Sequence, residues 1–277
     1  MADELLTTDE VAAVLRVHPK HVYRLLKRGL PGRKVGGEWR FLEREVLAWS
    51  GEARPQARVL GERPPLVAAN GDLALEWLLE AANRRGPPVV GFVRADRDGA
   101  LALLDQGAVL AAGCHGAGFP PRLGDDRLAR LHVVRRDVGL AVRTGKVPSL
   151  KDLHHQRFAG RPPTAGIVVH LERALAEAGA RRPRGTAYGS HADVASAVAR
   201  GEADVGLLTC AWAHRFGLAF KVIATEDYGL VVRAVDLGRP AFVRLCEEAQ
   251  GKELKKRLGA VPGYDASDAG AIRYDPA

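Results

Sequence analysis

Cysteine is scarce in this 277-residue chain. Cys114, Cys210 and Cys246 are odd in number and far apart, which argues against a disulfide framework and predicts reduced thiols in a cytoplasmic protein. No apolar run approaches the length of a membrane-spanning helix, and no signal-peptide pattern opens the chain. There is no P-loop and no Gly-x-Gly-x-x-Gly, so the usual nucleotide-binding signatures are missing. Among Cys114-His115, His132, His154-His155 and Cys210, no pair has zinc-ligand spacing. Ser190, His191 and Asp193 supply the residue types of a serine triad. Neighbours at one helix start cannot, however, adopt a nucleophile–base–orienter geometry. No catalytic residue, metal or cofactor is therefore expected.

What is present is an ordinary hydrophobic fraction, 47%, and a net charge of +8 that suits an anionic partner. The length accommodates a small module and one larger domain. Residues 7–49 carry the densest signal. Thr7 with Glu10 forms a capping box that predicts a helix from about Asp9, with Val11, Val14 and Leu15 as its apolar stripe. Pro19 restarts the helical period after Val17 and His18. The second helix is expected to run to about Arg28, bury Val22, Leu25 and Leu26, and end at Gly29. Arg33-Lys34-Val35 and Glu38-Trp39-Arg40-Phe41 read as two strands around Gly36-Gly37. Glu43 to Trp49 reads as a closing helix with Val46, Leu47 and Trp49 inward. From Arg16 to Arg44 there are nine Lys/Arg against Glu38 and Glu43. Acidic residues gather instead at Asp3, Glu4, Asp9 and Glu10, where they suit the first helix dipole. A short basic helix beside a basic hairpin is a way of entering the major groove while holding phosphates. The expected DNA-contacting residues are His18, Lys20, His21, Arg24, Lys27, Arg28, Arg33, Lys34 and Arg40.

This segment resembles the excisionase/MerR-type winged helix-turn-helix, through Thr8, Glu10, Val11, Ala12, Val22, Tyr23, Arg24, Leu25, Gly36, Trp39, Arg40 and Phe41. It departs from the family at His18, where a small hydroxyl residue commonly opens the second helix. The resemblance implies double-stranded DNA as a partner and covers about fifty residues.

Residues 51–65, rich in proline, glycine and charge, read as a linker between a domain at 1–50 and another at 66–277. Beyond them, strand and helix signals alternate. Leu66–Ala69 precedes a helix through Leu79, Val89–Val93 precedes one from about Gly99, and Leu110–Gly113 follows as a strand; the pattern argues for an open α/β sheet. Residues 99–112 and 193–206 share one pattern, a helix ending at glycine (Gly107, Gly201) and then a small-residue strand. Two similarly built lobes would explain it. Such lobes would form a cleft lined by helix N-termini. Four helix starts are candidates for that cleft: Asn70-Gly71-Asp72, Asp96-Arg97-Asp98-Gly99, Arg161 through Thr164-Ala165-Gly166 ahead of a helix from Ile167 to Ala178, and Ser190-His191-Ala192-Asp193.

Residues 66–268 resemble the periplasmic-binding-protein-like (type II) ligand domain of certain bacterial regulators. The matching elements are Arg161 with Thr164-Ala165-Gly166, the run Ala199 to Gly206, Gly113-Cys114-His115, and Gly263-Tyr264-Asp265. Ala69 and Arg97 depart from the small hydroxyl residues common on the family's ligand loops. The resemblance implies an α/β two-lobed domain, with lobe 1 at about 66–147 and 229–277 and lobe 2 at about 148–228. It also implies a small anionic or polar ligand, a molybdate- or tungstate-like oxyanion among the candidates. The expected ligand-binding residues are Asn70, Gly71, Asp72, Arg97, Gly99, Arg161, Thr164, Ala165, Gly166, Ser190 and Tyr228. Together the two halves predict a cytoplasmic, homodimeric, one-component transcription regulator. The alternatives are a DNA-binding protein whose larger domain is an enzyme, an architectural DNA binder, or a ligand-free dimerisation scaffold.

Overall fold

The computed structural model describes residues 5–15, 17–27, 29–52, 64–116, 118–120, 123 and 126–275. Asp3, Glu4, Arg16, Arg28 and most of the expected linker, 53–63, lie outside the described residues. The chain divides into two compact units, Met1–Glu62 and Arg63–Ala277.

In the first unit a short strand β1 (Leu5–Leu6) leads into α1 (Thr8–Val14), α2 (Pro19–Leu26), β2 (Arg33–Val35), β3 (Glu38–Leu42) and α3 (Glu43–Glu52). The capping box is formed: Thr7 Oγ1 accepts from the Glu10 N–H, and the Glu10 carboxylate accepts from the Thr7 N–H at 2.7 Å. Thr7→Ala should destabilise this unit by about 1 kcal/mol. In hydrogen exchange, its most protected amides should then exchange roughly fivefold faster. His18 caps α2, its Nδ1 accepting from the Lys20 N–H at 3.2 Å, so the residue that departs from the family pattern replaces the missing hydroxyl as a cap. Gly36 and Gly37 both take positive φ (61° and 89°), as a two-residue hairpin turn requires. Val11, Ala12, Val22, Leu30, Phe41 and Val46 form the core, edged by Leu15, Leu25, Leu26, Trp39 and Trp49.

Three details differ from the sequence expectation. Val14 and Leu47 are exposed rather than inward, because helices this short bury only a narrow stripe, Val11–Ala12–Leu15 in α1 and Val46–Trp49 in α3. The second helix stops at Leu26, where Leu30 and Gly29 close back onto Leu25 and Leu26. The strand β1 had no signal, since two residues are too few to show alternation; it pairs antiparallel with β3.

The second unit begins β4 (Leu66–Ala69), α4 (Leu73–Arg84), β5 (Gly91–Arg94), α5 (Arg97–Asp105), β6 (Ala111–His115) and a long β7 (Leu128–Val142). It continues β8 (Phe158–Gly160), α6 (Ile167–Glu177), β9 (Gly185–Ala187), α7 (His191–Ala199), β10 (Val205–Thr209), α8 (Cys210–Arg215) and a second long strand, β11 (Ala219–Arg233). Helices α9 (Pro240–Gln250) and α10 (Lys252–Gly259), then β12 (Tyr264–Asp265) and β13 (Ile272–Tyr274), close it.

The sheet order is β5-β4-β6-β11-β7-β10-β8-β9. Its two ends follow one plan. β4 lies parallel between β5 and β6, as β8 lies parallel between β9 and β10. β6 then pairs antiparallel with the late half of β11, and β10 with the late half of β7. The similar stretches at 99–112 and 193–206 are the equivalent helix–glycine–strand units of the two lobes, with Gly107 and Gly201 at φ 70° and 73°. β7 and β11 pair with each other almost end to end and belong to both lobes. Val138–Val142 thus sits beside β10 of the second lobe, whereas the sequence suggested a lobe edge near 147. Short buried strands with helices on their faces account for the large apolar core.

Candidate ligand site between the two lobes

The middle of the two shared strands carries charge where a sheet interior should be apolar. Val134, Arg136 and Val138 alternate onto one face of β7, and Arg136 is fully buried. Its guanidinium bonds Asp72 Oδ2 at 2.5 Å and Glu226 Oε1 at 2.7 Å, and lies 4.3 Å from the centroid of the Tyr228 ring. Asp72 also caps α4 through the Ala74 N–H and accepts from the Tyr264 hydroxyl at 2.6 Å. Burial alone would disfavour the Arg136 cation, but Asp72 and Glu226 outweigh it and leave its pKa raised. Burial likewise pushes Glu226 up, and Arg136, His115 and His170 overcome it to hold the carboxyl well below its usual range. This is an internal ion cluster with its charges satisfied.

Beside it lies a second group whose polar atoms are not satisfied. Asn70 Nδ2 sits 3.5 Å from His115 Nε2 and 3.4 Å from His191 Nε2, tying the end of β6 to the start of α7. Asn70 Oδ1 and His191 Nδ1 are buried without a hydrogen-bond partner. Arg161, at the end of β8, is 5% exposed. Its Nη1 donates to the Tyr188 carbonyl at 2.6 Å and its Nε has no partner. No carboxylate among the described residues forms an ion pair with it, and burial pulls its pKa down to about 10, so it stays cationic at neutral pH. Asp193 and Asp96 bear on it electrostatically without bonding it, and a buried arginine that no carboxylate bonds is costly unless an anion joins it.

The lobes meet around this group. The Thr164 hydroxyl donates to Asp96, His170 Nε2 lies 2.8 Å from Glu226 Oε2, and Arg94 lies 3.7 Å from Asp193. Gly166 opens α6 against the His115 ring, where a Cβ would come within 3.0 Å of Cδ2. Unlike α4, α5 and α7, the start of α6 has no side-chain cap.

A family model for the PBP superfamily domain matches residues 80–250, more than half of the chain. The chain belongs to the PBP superfamily. A helix-turn-helix domain model matches residues 5–51 ahead of it. The uncharacterized protein YvgK of Bacillus subtilis is 25% identical over a 304-position alignment covering 96% of both chains. An uncharacterized protein in the 5′ region of a Clostridium pasteurianum 2Fe-2S ferredoxin gene is 35% identical over 88 residues, 30% of this chain and 74% of that one. Among solved structures, the regulatory domain of MetR, a LysR family regulator from N. meningitidis, superposes with TM-score 0.53. It is 13% identical and covers 72% of this chain and 96% of its own. The effector binding domain of a BenM variant gives 0.52 at 12% identity, over 72% and 97%. These likenesses show the fold.

Within this PBP domain the expected ligand residues fall into three sets. Asn70, Arg161 and Tyr228 lie in or against the central group, the Tyr228 ring tilted 44° against His115 with centroids 5.3 Å apart and its hydroxyl unpartnered. Asp72, Gly99, Thr164, Ala165 and Ser190 spend polar atoms on the chain itself: Asp72 on Arg136, Thr164 on Asp96, Ser190 on Asp193, and the N–H groups of Gly99 and Ala165 on Asp96 and Pro162. The Gly71 carbonyl accepts from Trp212 Nε1, and Gly166 packs on His115. Arg97 bears on the buried thiol of Cys114, and its Nε is buried without a hydrogen-bond partner. The sequence showed no sign of Arg136, Glu226 or His170 as site residues, and no ligand role was expected of His115, His191 or Tyr264.

In the helix-turn-helix unit, His18, Lys20, His21, Arg24 and Lys27 are exposed on or beside α2, and Arg33 and Lys34 on the hairpin. Arg40 is half-buried and pairs with Glu38 at 2.7 Å; Lys34 Nζ lies 5.6 Å from the Trp39 ring centroid. Arg28 lies outside the described residues. No helix among the described residues is long and apolar enough to cross a membrane.

Proposed function

We propose that the chain is a cytoplasmic, one-component transcription regulator in which the PBP domain senses a small anion and the helix-turn-helix unit binds DNA. The observation that carries the sensor half is Arg161: a buried cation that no carboxylate among the described residues bonds, with orphaned atoms of Asn70 and His191 in the same group. The relatives of matching fold are regulatory and effector-binding domains by name, which supports the same reading. The ligand is small, an oxyanion of the molybdate or tungstate kind or a short carboxylate, because the lobes already meet through Thr164–Asp96 and His170–Glu226. It acts by favouring the closed arrangement of the lobes, which part at the middles of β7 and β11. A homodimer reading two half-sites would give one small module useful specificity.

A thermal-shift and calorimetric screen of molybdate, tungstate, sulfate, phosphate and short carboxylates tests the reading. An anion at a hundredfold its Kd should stabilise the domain by about 2.7 kcal/mol. If none binds, the domain is a dimerisation scaffold.

The DNA half makes its own prediction. His21 and Arg24 face base edges, while Lys27, Arg33, Lys34 and Arg40 serve phosphates. Arg24→Ala should relax sequence preference; Lys34→Ala should weaken all sequences alike and flatten the salt slope by about one unit. Indistinguishable profiles across a salt series would contradict this division of roles.

A further inference from the structure

His191 opens α7 fully buried, with its ring fixed at one end only. Nε2 lies 3.4 Å from the Asn70 amide, whereas Nδ1 is buried and unpartnered. The groups that face it come from five elements: Asn70 from the β4–α4 loop, His115 from β6, Arg136 from β7, Arg161 from the end of β8 and Glu226 from β11. On its own helix, Asp193 is engaged by Ser190 and lies 3.7 Å from Arg94. Two arginines therefore bear on this imidazole, against one carboxylate that is already held by Arg136, His115 and His170.

We infer that the anion binds together with one proton, which leaves the His191 ring cationic with Nδ1–H donating to the ligand and Nε2–H donating to Asn70, and that the site therefore favours dianionic oxyanions over monoanions. The inference rests on the anion reading above and adds its proton stoichiometry. In the free site the ring is neutral: burial, then Arg161, Arg136 and His115, hold its pKa well below the ordinary histidine value. An anion beside Nδ1 reverses the sign of the local field, and inside a water-poor cluster such a change is large. With Asn70 Nδ2 donating to Nε2, the neutral ring carries its one proton on Nδ1 and donates it to a ligand oxygen. The ring then takes a second proton from water or buffer, which forms an Nε2–H bond. The buffer acid loses that proton, and nothing is oxidised or reduced. The cationic ring must also donate from Nε2. Asn70 can accept there by turning its amide, whose Oδ1 is at present buried without a partner. Arg161 and the imidazolium together then carry two positive charges, which match a dianion.

Linkage fixes the pH dependence. Above the free-site pKa of His191 and below its bound-site pKa, each pH unit should weaken binding tenfold; outside that window Kd is flat. Calorimetric titration of the full chain with molybdate, in buffers of different ionisation enthalpy from about pH 5 to 8, reads both quantities. The expected result is uptake of about one proton per anion within the window. His191→Gln should bind more weakly, with no uptake and no slope. Molybdate binding without proton uptake in the unmodified chain overturns the inference and leaves the anion reading standing. So does a slope that persists unchanged in His191→Gln. If that variant does not fold, the proton count of the unmodified chain decides alone. Failure of molybdate, tungstate and sulfate alike to bind overturns both.

Discussion

Arg136→Ala should destabilise the PBP domain by about 3–5 kcal/mol, because it strands Asp72 and Glu226 as buried carboxylates without their cation. For a unit of this size that corresponds to a fall in Tm on the order of 10 °C. The loss reaches beyond one contact, since Asp72 also caps α4 and accepts from Tyr264, while Glu226 anchors His170 of α6. The sign of the pH dependence follows from Glu226. Its folded pKa is depressed, so its stabilising contribution is complete above the usual carboxylate range and is lost as the pH falls through the folded value. The gap between native and variant stability should therefore narrow on acidification. Chemical denaturation at several pH values measures it; a constant gap, or one that widens in acid, would contradict the assignment of Arg136 as the cation that holds this cluster.

Arg161→Ala should behave in the opposite way. Arg161 has no ion-pair partner among the described residues and burial already depresses its pKa to about 10, so the anion-free domain should lose little stability, or gain some, when the charge is removed. Anion affinity should fall by about tenfold or more, since a hydrogen bond to a charged group is worth roughly 1.5–3 kcal/mol and 1.4 kcal/mol is a factor of ten. Paired thermal-shift curves with and without anion separate the two effects. An Arg161→Ala domain that is strongly destabilised without anion would mark Arg161 as structural. One that binds anion with undiminished affinity would place the ligand elsewhere.

The contrast between these two arginines shows what the sequence could and could not convey. The helix-turn-helix unit was legible nearly residue by residue, because capping boxes, Pro19 and the Gly36–Gly37 turn are local features whose partners lie within a few positions. Arg161 was also legible, as a cation just ahead of a helix start. Arg136 was not. It stands between Arg135 and Asp137, where three consecutive charges look like a solvated strand end. The available clue was the period-two alternation that puts it on the face of Val134 and Val138. Its partners lie 64 and 90 positions away, and no local pattern announces such a pairing. Arg97 is the first residue of α5, and its charge bears on the buried Cys114 thiol, a partner 17 positions away that its place at a helix start does not announce. The lobe plan was visible only as the likeness of 99–112 to 193–206. The long shared strands were missed because their charged midpoints interrupt the apolar run.

On the proposed reading, an anion held at Arg161 controls DNA binding by the helix-turn-helix unit. The most direct test is fluorescence anisotropy with a duplex selected by the full chain from random sequence. Its Kd would be measured at constant ionic strength with and without a saturating anion from the screen. A change of about tenfold or more in Kd, a coupling of about 1.4 kcal/mol, is expected, and it should disappear in Arg161→Ala while DNA binding itself persists. An anion that binds the chain and leaves the DNA affinity unchanged would contradict it.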